Sequence, residues 1–194
     1  MGRMNLAVAA AVALVLAGAP LLAQGYSDAY AFLKGVRERD AQVVEGLVAM
    51  PNPAVINARD QSSGEGALHI LIRGRDHTWL SFILGRGARV DLQSNDGTAP
   101  LHLAAQLGWR EGAELLLSQR ANPNIANSRG ETPLILAVQR RDLVMVRLLL
   151  SQGADPNQTD SVAGYSALDY ARQDRRSAAI LRELETARPA RAAR

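Results

Sequence analysis

The stretch Gly130-Glu131-Thr132-Pro133-Leu134 decides the fold, because versions of it return along the chain at a fixed interval. Its leucine recurs at spacings of 33, 33 and 34 residues, as Leu68, Leu101, Leu134 and Leu168. Fixed spacing predicts a stack of similar supersecondary units, each too small to bury its own apolar face and dependent on its neighbours for a core. Such a stack favours a binding surface over a catalytic pocket.

The composition fits a folded domain and excludes several kinds of chemistry. The 194 residues are 47% hydrophobic and include no cysteine, which excludes disulfides, thiolate metal sites and a cysteine nucleophile. The net charge is +3, but the segment 24–187 holds 18 basic and 19 acidic residues. This segment has no excess of positive charge, so we expect no nucleic-acid partner.

The first 23 residues have the three regions of a secretory signal peptide. Basic Arg3 precedes an alanine-rich apolar run at 6–19, and Pro20 stands before small residues. We expect cleavage after Ala23, with cleavage after Gly25 as the alternative. The apolar run falls short of the roughly 20 residues of a spanning helix, so no stable membrane insertion is expected after cleavage. The expected location is the bacterial periplasm, with secretion beyond the cell as the alternative.

The residues around each recurring leucine predict a pair of antiparallel helices. Thr132 is suited to cap an inner helix and Pro133 to fill its first turn. A tight turn is expected after each inner helix, and in the preceding unit it falls near Gly108. An outer helix with one wide apolar face follows, and Gly87 and Gly153 are placed to end such helices. Arg120 replaces the corresponding glycine, so a left-handed backbone there would carry about 1 kcal/mol of strain.

This arrangement resembles the ankyrin repeat, whose signature Thr-Pro-Leu-His is matched in part around each leucine. The resemblance covers roughly 27–185 and implies an all-α solenoid of stacked helix-turn-helix units with short hairpin-like loops. About five repeats including caps are expected, near 27–60, 61–95, 96–127, 128–161 and 162–185. The first is an amino-terminal cap with an inner helix near Ser27 to Glu38, and residues 186–194 are expected to form a basic disordered tail.

The candidate catalytic residues have simpler structural explanations. His69 and His102 occupy the histidine position of the repeat, where the resemblance implies that the imidazole ties neighbouring loops together. His77 is expected on the surface, and Trp79 in the core. No metal site, cofactor or phosphate loop is expected. A hydrolase using Asp76, Asp96 and His102 is the enzymatic alternative, which we disfavour because a nucleophile, base and orienting group cannot be named together.

The resemblance implies that a partner protein binds the concave face, which is built from the loop tips and the exposed side of the inner helices. Trp109 and Tyr165 are the expected aromatic anchors of this surface. The candidate partner-binding residues are Asn95, Asp96, Thr98, Gln106, Leu107, Trp109, Ser128, Arg129, Glu131, Gln139, Arg140 and Tyr165.

The function expected from the resemblance is non-catalytic protein binding, by a chain that is monomeric when free. Small exported ankyrin proteins of bacteria are similar in layout, which implies support or protection of a partner such as a periplasmic enzyme. The alternatives are an immunity protein that blocks a toxin in the periplasm and a secreted effector directed at a host.

Overall fold

The computed structural model describes residues 21–49 and 54–187, with side chains from residue 28 onward. This part of the chain holds ten α-helices and an isolated antiparallel bridge between Thr159 and Ser166. The helices are α1 Leu21–Glu38, α2 Ala41–Ala49, α3 Ala67–Arg73, α4 His77–Gly85, α5 Pro100–Leu107, α6 Arg110–Ser118, α7 Pro133–Gln139, α8 Leu143–Ser151, α9 Ala167–Gln173 and α10 Ala178–Thr186. Short 3-10 turns lie at Val55–Asn57 and Arg175–Ser177.

The helices form five antiparallel pairs that stack in chain order. Odd-numbered helices are the inner helices, and each packs against its own outer helix and against the next inner helix. Outer helices α4, α6, α8 and α10 also pack along the stack. The expected all-α solenoid of helix-turn-helix units is confirmed.

The core runs continuously through the stack because each inner helix between the two end repeats is covered on both sides. Leu68, Leu101 and Leu134 are at most 3% exposed, whereas Leu168 in the last repeat is half-buried. The small pair Ala104-Ala105 is fully buried, which permits close approach of the neighbouring inner helices. Trp79 was expected in this core but is half-buried, with its ring edge-on to Phe82 at a centroid distance of 5.7 Å.

Two different devices satisfy the starts of the inner helices. Thr132 accepts the Ile135 backbone N–H at 3.3 Å through its hydroxyl, and Ser166 caps α9 in the same way. The positions that precede α3 and α5 are Gly66 and Ala99, which have no capping side chain. There the histidine three residues onward accepts the backbone N–H of that preceding residue. The start of α5 therefore lacks a capping side chain at the preceding position, as does that of α3.

Left-handed backbone occurs at both ends of the outer helices. Gly87 and Gly153 follow them with φ of 88° and 87°, and Arg120 takes φ of 64° at the equivalent place, as expected. The turn between α5 and α6 lies at Gly108, also as expected, with φ of 64°. The corresponding turns of the first, second and fourth repeats have arginine in this strained conformation, at Arg39, Arg75 and Arg141.

The two ends of the described chain differ from the sequence-based boundaries. Helix α1 begins at Leu21, well before the expected start near Ser27, and it ends at Glu38 as expected. Helix α10 continues to Thr186, which was assigned to the disordered tail. Most of the expected signal peptide and residues 188–194 of the expected tail lie outside the described residues.

Candidate protein-binding surface

The four loop tips, residues 60–65, 94–98, 127–131 and 160–165, form one ladder along an edge of the stack. A backbone hydrogen bond of 2.8 to 3.0 Å closes each tip between its first and last residues. Each tip after the first also donates a backbone N–H to a carbonyl of the preceding tip, at 2.8 to 3.0 Å. These pairs are Asn95 to Ser63, Ser128 to Asp96, and Ser161 to Arg129. The tips are therefore held in a fixed register before any partner binds.

Glycines allow neighbouring tips to approach this closely. Gly97 and Gly130 have φ of 75° and 74°, which side-chain-bearing residues rarely adopt. A Cβ added to Gly97 would lie 2.6 Å from the Ser128 nitrogen, and one added to Gly130 would lie 2.5 Å from the Ser161 nitrogen. Any larger residue at either position would push the adjacent tips apart.

A carboxylate holds the first tip in shape. Asp60 Oδ1 accepts the Ser62 hydroxyl at 2.6 Å and the backbone N–H groups of Ser62 and Ser63 at 3.0 and 3.1 Å. The Ser62 hydroxyl, these amides and the Arg37 guanidinium hold the pKa of Asp60 well below its ordinary value. Ser62 and Ser63 are therefore turn residues bonded to Asp60.

The last tip is held by a buried carboxylate and a tyrosine. Asp160 is 5% exposed, and its Oδ1 accepts three backbone N–H groups of its own tip at 2.7 to 3.0 Å. The Tyr170 hydroxyl donates to the other oxygen, which raises the pKa of Tyr170 to about 12. Burial alone would raise the pKa of Asp160, but the bonds from Tyr170 and the amides outweigh it, so this pKa is lowered.

Both buried histidines connect consecutive repeats. His69 Nδ1 accepts the Gly66 N–H at 3.1 Å, and its Nε2 donates to the Thr98 carbonyl of the next tip at 2.8 Å. His102 repeats the arrangement with Ala99 at 3.0 Å and with the Glu131 carbonyl at 3.0 Å. Burial lowers the pKa of both imidazoles, so the neutral form with its proton on Nε2 fits these bonds. The structural role expected for His69 and His102 is confirmed.

The groups of the hydrolase alternative are not assembled. Asp76 caps α4 by accepting the Trp79 N–H at 3.0 Å, and it pairs with Arg39 at the turn between α3 and α4. His102 has both ring nitrogens occupied, and Asp96 Oδ1 accepts the Ser94 hydroxyl and the Thr98 N–H within its own tip. Within residues 21–49 and 54–187, no cluster of three or more histidine or carboxylate side chains suits a metal ion.

Most side chains predicted to bind a partner from the tips are also bonded within the ladder. Asn95 donates to the Ser62 carbonyl at 3.0 Å and accepts from Arg59, while Arg129 pairs with Glu131 at 2.7 Å. Thr98 is half-buried, and its carbonyl accepts from His69. Five of the twelve predicted residues are exposed without such a side-chain bond across or within the tips, namely Gln106, Ser128, Gln139, Arg140 and Tyr165.

Trp109 is not the exposed anchor that the sequence predicted. It is only 6% exposed and belongs to the hydrophobic core at the start of α6. The absence of a side chain at Gly112 makes room for the indole, since a Cβ there would overlap the Trp109 ring. Leu107 is half-buried rather than fully available. The glycine three residues after the tryptophan is the sequence signal that could have indicated burial.

The exposed aromatic residues of the described chain lie in the first and last repeats. Tyr165 is 40% exposed and stands edge-on to Tyr170, with ring centroids 5.6 Å apart. Tyr30, which sequence reasoning missed, is 65% exposed beside Leu33 and Arg37. It borders a groove of about 240 Å³ between α1 and the first tip. Large amphipathic rings at such positions are suited to anchor a protein partner.

A stack of helix pairs with a preformed ladder of loops defines a helical repeat scaffold. The chain belongs to the ankyrin-repeat family, because the family model for ankyrin repeats matches in three overlapping copies at 33–127, 68–160 and 111–185. Ankyrin repeats are protein-protein interaction modules, and the family is generally not enzymatic. None of the helices in the described residues is both long and apolar enough to cross a membrane.

Two relatives share part of the sequence. The chain is 36% identical over 63 residues to the putative ankyrin repeat protein FPV031 of Fowlpox virus (strain NVSL), a match that covers 32% of this chain and 18% of the relative. It is 39% identical over 71 residues to the mouse nuclear factor NF-kappa-B p105 subunit, covering 36% of this chain and 7% of the relative. The chain thus spans less than a fifth of either relative.

Proposed function

We propose that this protein acts in the bacterial periplasm, where it binds a partner protein through the concave face and supports or protects it. The observation that carries the proposal is the ladder of loop tips, whose backbone bonds fix the surface in advance. A preordered surface loses little conformational entropy on docking, so more of the contact energy becomes affinity. The amino-terminal segment supports the location, since it has the three regions of a signal peptide.

The middle of the concave face offers a direct test of the binding surface. Gln106 and Gln139 are exposed near the ends of neighbouring inner helices, whereas Gln119 and Gln152 are exposed at the ends of the outer helices α6 and α8. Replacing either pair by arginine adds the same charge and the same bulk. We expect Gln106→Arg with Gln139→Arg to abolish capture of a partner from a periplasmic extract, and Gln119→Arg with Gln152→Arg to preserve it.

The result that contradicts this function is equal capture by both double variants, or capture of nothing by the wild-type protein. A melting temperature unchanged within about 2 °C in each variant shows that the fold is retained, as expected of exposed substitutions. An assay of the captured partner then separates support from inhibition, because a protected enzyme gains lifetime while a blocked toxin loses activity.

Fractionation of cells that produce the full chain tests the location. The mature protein is expected in the periplasmic fraction with Gln24 or Tyr26 as its first residue, according to the site of cleavage. Recovery from the culture medium would favour the secreted alternative, and retention in the cytoplasm with Met1 intact would contradict export.

A further inference from the structure

The turns between inner and outer helices form a second edge of the molecule, at the opposite end of the helices from the loop tips. The inner helices α3, α5, α7 and α9 have seven or eight residues each. At a rise of 1.5 Å per residue they span about 10 to 12 Å, so the turns are a surface separate from the tips.

The acidic side chains of these turns are directed to helix starts. Asp40, Asp76 and Asp142 each accept the backbone N–H three residues onward at 3.0 to 3.1 Å, and Asp174 accepts that of Arg176 at 3.0 Å. The exposed amides and the dipole at a helix start compensate such a negative charge. The carboxylates of the turns are thus engaged by the backbone.

Several arginines at the same turns connect one repeat to the next. Arg39 pairs with Asp76, Arg75 donates to the Leu107 carbonyl at 2.8 Å, and Arg141 pairs with Asp174. These bonds give the left-handed arginines a structural role. They also leave other cations of this edge without an acidic partner.

Positive charge is concentrated at the carboxyl-terminal end of this edge. We call residues 140–143 and 172–177 the basic corner, which holds five arginines and two aspartates, whereas the rest of 24–187 holds 13 basic and 17 acidic residues. Arg140, Arg175 and Arg176 are exposed, and none of them has a carboxylate within 4.0 Å in the described part of the chain. Like charges gathered at one place on the surface create a local positive potential.

We propose that the basic corner binds an acidic segment of a partner polypeptide, whose carboxylates face Arg140, Arg175 and Arg176. This inference rests on the proposed function for the interaction with a protein, and it adds the chemistry of the bound segment. The guanidinium fork matches a carboxylate and is weakly hydrated, which suits it to exposed pairing. Packed helices lie about 8 to 10 Å apart. In a polyproline II segment, the side chains at positions i and i+3 lie on the same side about 9 Å apart, so acidic side chains at this spacing reach adjacent turns.

A polypeptide fits this corner better than a membrane or a nucleic acid. A segment can contact the corner alone, whereas a membrane plane would also face acidic parts of the stack. Each basic residue strengthens binding to an anionic membrane surface by about fivefold, so the three arginines would supply only about 100-fold in total. Strong nucleic-acid binding needs more neutralised phosphates than three arginines provide, typically about six to ten.

The test measures binding of a fluorescein-labelled peptide of four Glu-Ser-Gly repeats by fluorescence anisotropy. The matched peptide has Gln in place of Glu. One variant carries Arg140→Gln, Arg175→Gln and Arg176→Gln, and the control carries Arg86→Gln, Arg89→Gln and Arg110→Gln. Both variants lose three exposed arginines and so have the same net charge. Far-UV circular dichroism and thermal melting verify that each one folds.

We expect the wild-type protein to bind the Glu peptide and not the Gln peptide, more weakly when NaCl rises from about 20 to about 200 mM. The corner variant is expected to bind about tenfold more weakly, and the control within about twofold of wild type. Equal weakening by both variants would reduce the effect to net charge and overturn the inference, as would no binding of the Glu peptide.

Two further arms use vesicles of equal parts phosphatidylglycerol and phosphatidylcholine, and an oligothymidylate. Corner-dependent binding to either one without binding to the Glu peptide would overturn the choice of a polypeptide. If the Glu peptide fails while the concave-face variants still abolish capture, this inference alone falls. If those variants retain capture, the proposed concave face falls regardless of the peptide result.

Discussion

Asp91 occupies a position where the neighbouring repeats have asparagine. Asn57 Oδ1 accepts the Arg89 N–H and Asn124 Oδ1 accepts the Asp155 N–H, both at 2.7 Å. Asn124 also donates to the Gly153 carbonyl at 3.0 Å. Asp91 accepts the Asn122 N–H with both oxygens at 3.1 Å, and its ionised form has no proton to donate.

The substitution Asp91→Asn is expected to stabilise the protein at pH 7. It keeps the acceptor for Asn122 and adds an N–H donor towards the carbonyl of Arg120, which is the counterpart of Gly153. One new hydrogen bond is worth about 1 kcal/mol, and removing a partly desolvated charge adds to this. The expected gain is about 1 to 2 kcal/mol in the free energy of unfolding, or about 4 °C in melting temperature for a domain of this size.

The gain depends on pH in a way that identifies its cause. Burial raises the pKa of Asp91, so the folded wild-type protein holds this proton more tightly than the unfolded chain does. Wild-type stability from this group is therefore present below the ordinary aspartate pKa and is lost as pH rises through the raised value. The advantage of Asp91→Asn should be full at neutral pH and should shrink as pH falls towards the ordinary value.

Urea unfolding followed by circular dichroism at several pH values measures the difference between the two proteins. The slope with urea should be unchanged, since the exposed surface is the same. Asn124→Asp is the reciprocal control and should destabilise the protein at pH 7. A loss of stability in Asp91→Asn, or a gain that is the same at pH 7 and at pH 3, would refute the reasoning.

Three other variants test the described geometry. Arg120→Gly should raise the free energy of unfolding by about 1 kcal/mol in urea titrations, because glycine has no penalty at a φ of 64°; a decrease would mean that the arginine side chain matters more than its backbone. Gly112→Ala should lower it by about 1 to 3 kcal/mol and shift the fluorescence of displaced Trp109, while an unchanged spectrum and melting temperature would contradict the close contact. Because burial depresses the folded-state pKa of His69 and His102, their stabilisation is present above the ordinary histidine pKa and is lost as pH falls below it. Replacing both by Gln should flatten the decline in unfolding free energy between pH 7 and pH 5, and an unchanged decline would assign it to other groups.

The sequence predicted the architecture well because each repeat position has one dominant physical role. The recurring leucines needed burial, and the helix pairs, the turn at Gly108 and the left-handed backbone at Arg120 follow from position in the repeat. The histidines could be assigned for the same reason. Periodicity determines which residues face the core, and it carries this information wherever the pattern is regular.

The candidate surface was harder to predict because a position in the repeat does not reveal which groups a side chain contacts. Asn95 and Glu131 occupy the expected tips, yet their polar atoms are bonded to neighbouring tips and side chains. Trp109 was placed by analogy with an exposed position, whereas local space at Gly112 decides its burial.

The linking arginines at the turns were also missed. Their signal is an Arg-Asp pair that recurs in three repeats, at Arg39-Asp40, Arg75-Asp76 and Arg141-Asp142. The strained backbone and the bond to the next repeat both depend on the assembled stack. The Arg-Asp pair in the sequence therefore does not reveal them by itself.

The change from histidine to hydroxyl at the inner-helix starts gives the stack a direction of unfolding in acid. The starts of α3 and α5 rely on imidazoles that lose their acceptor nitrogen when protonated, whereas Thr132 and Ser166 do not titrate. Repeat proteins unfold by separating neighbours, so a local weakness spreads along the chain from where it begins. Mild acid is therefore expected to melt the amino-terminal half first and to leave a partly folded species that retains α7 to α10.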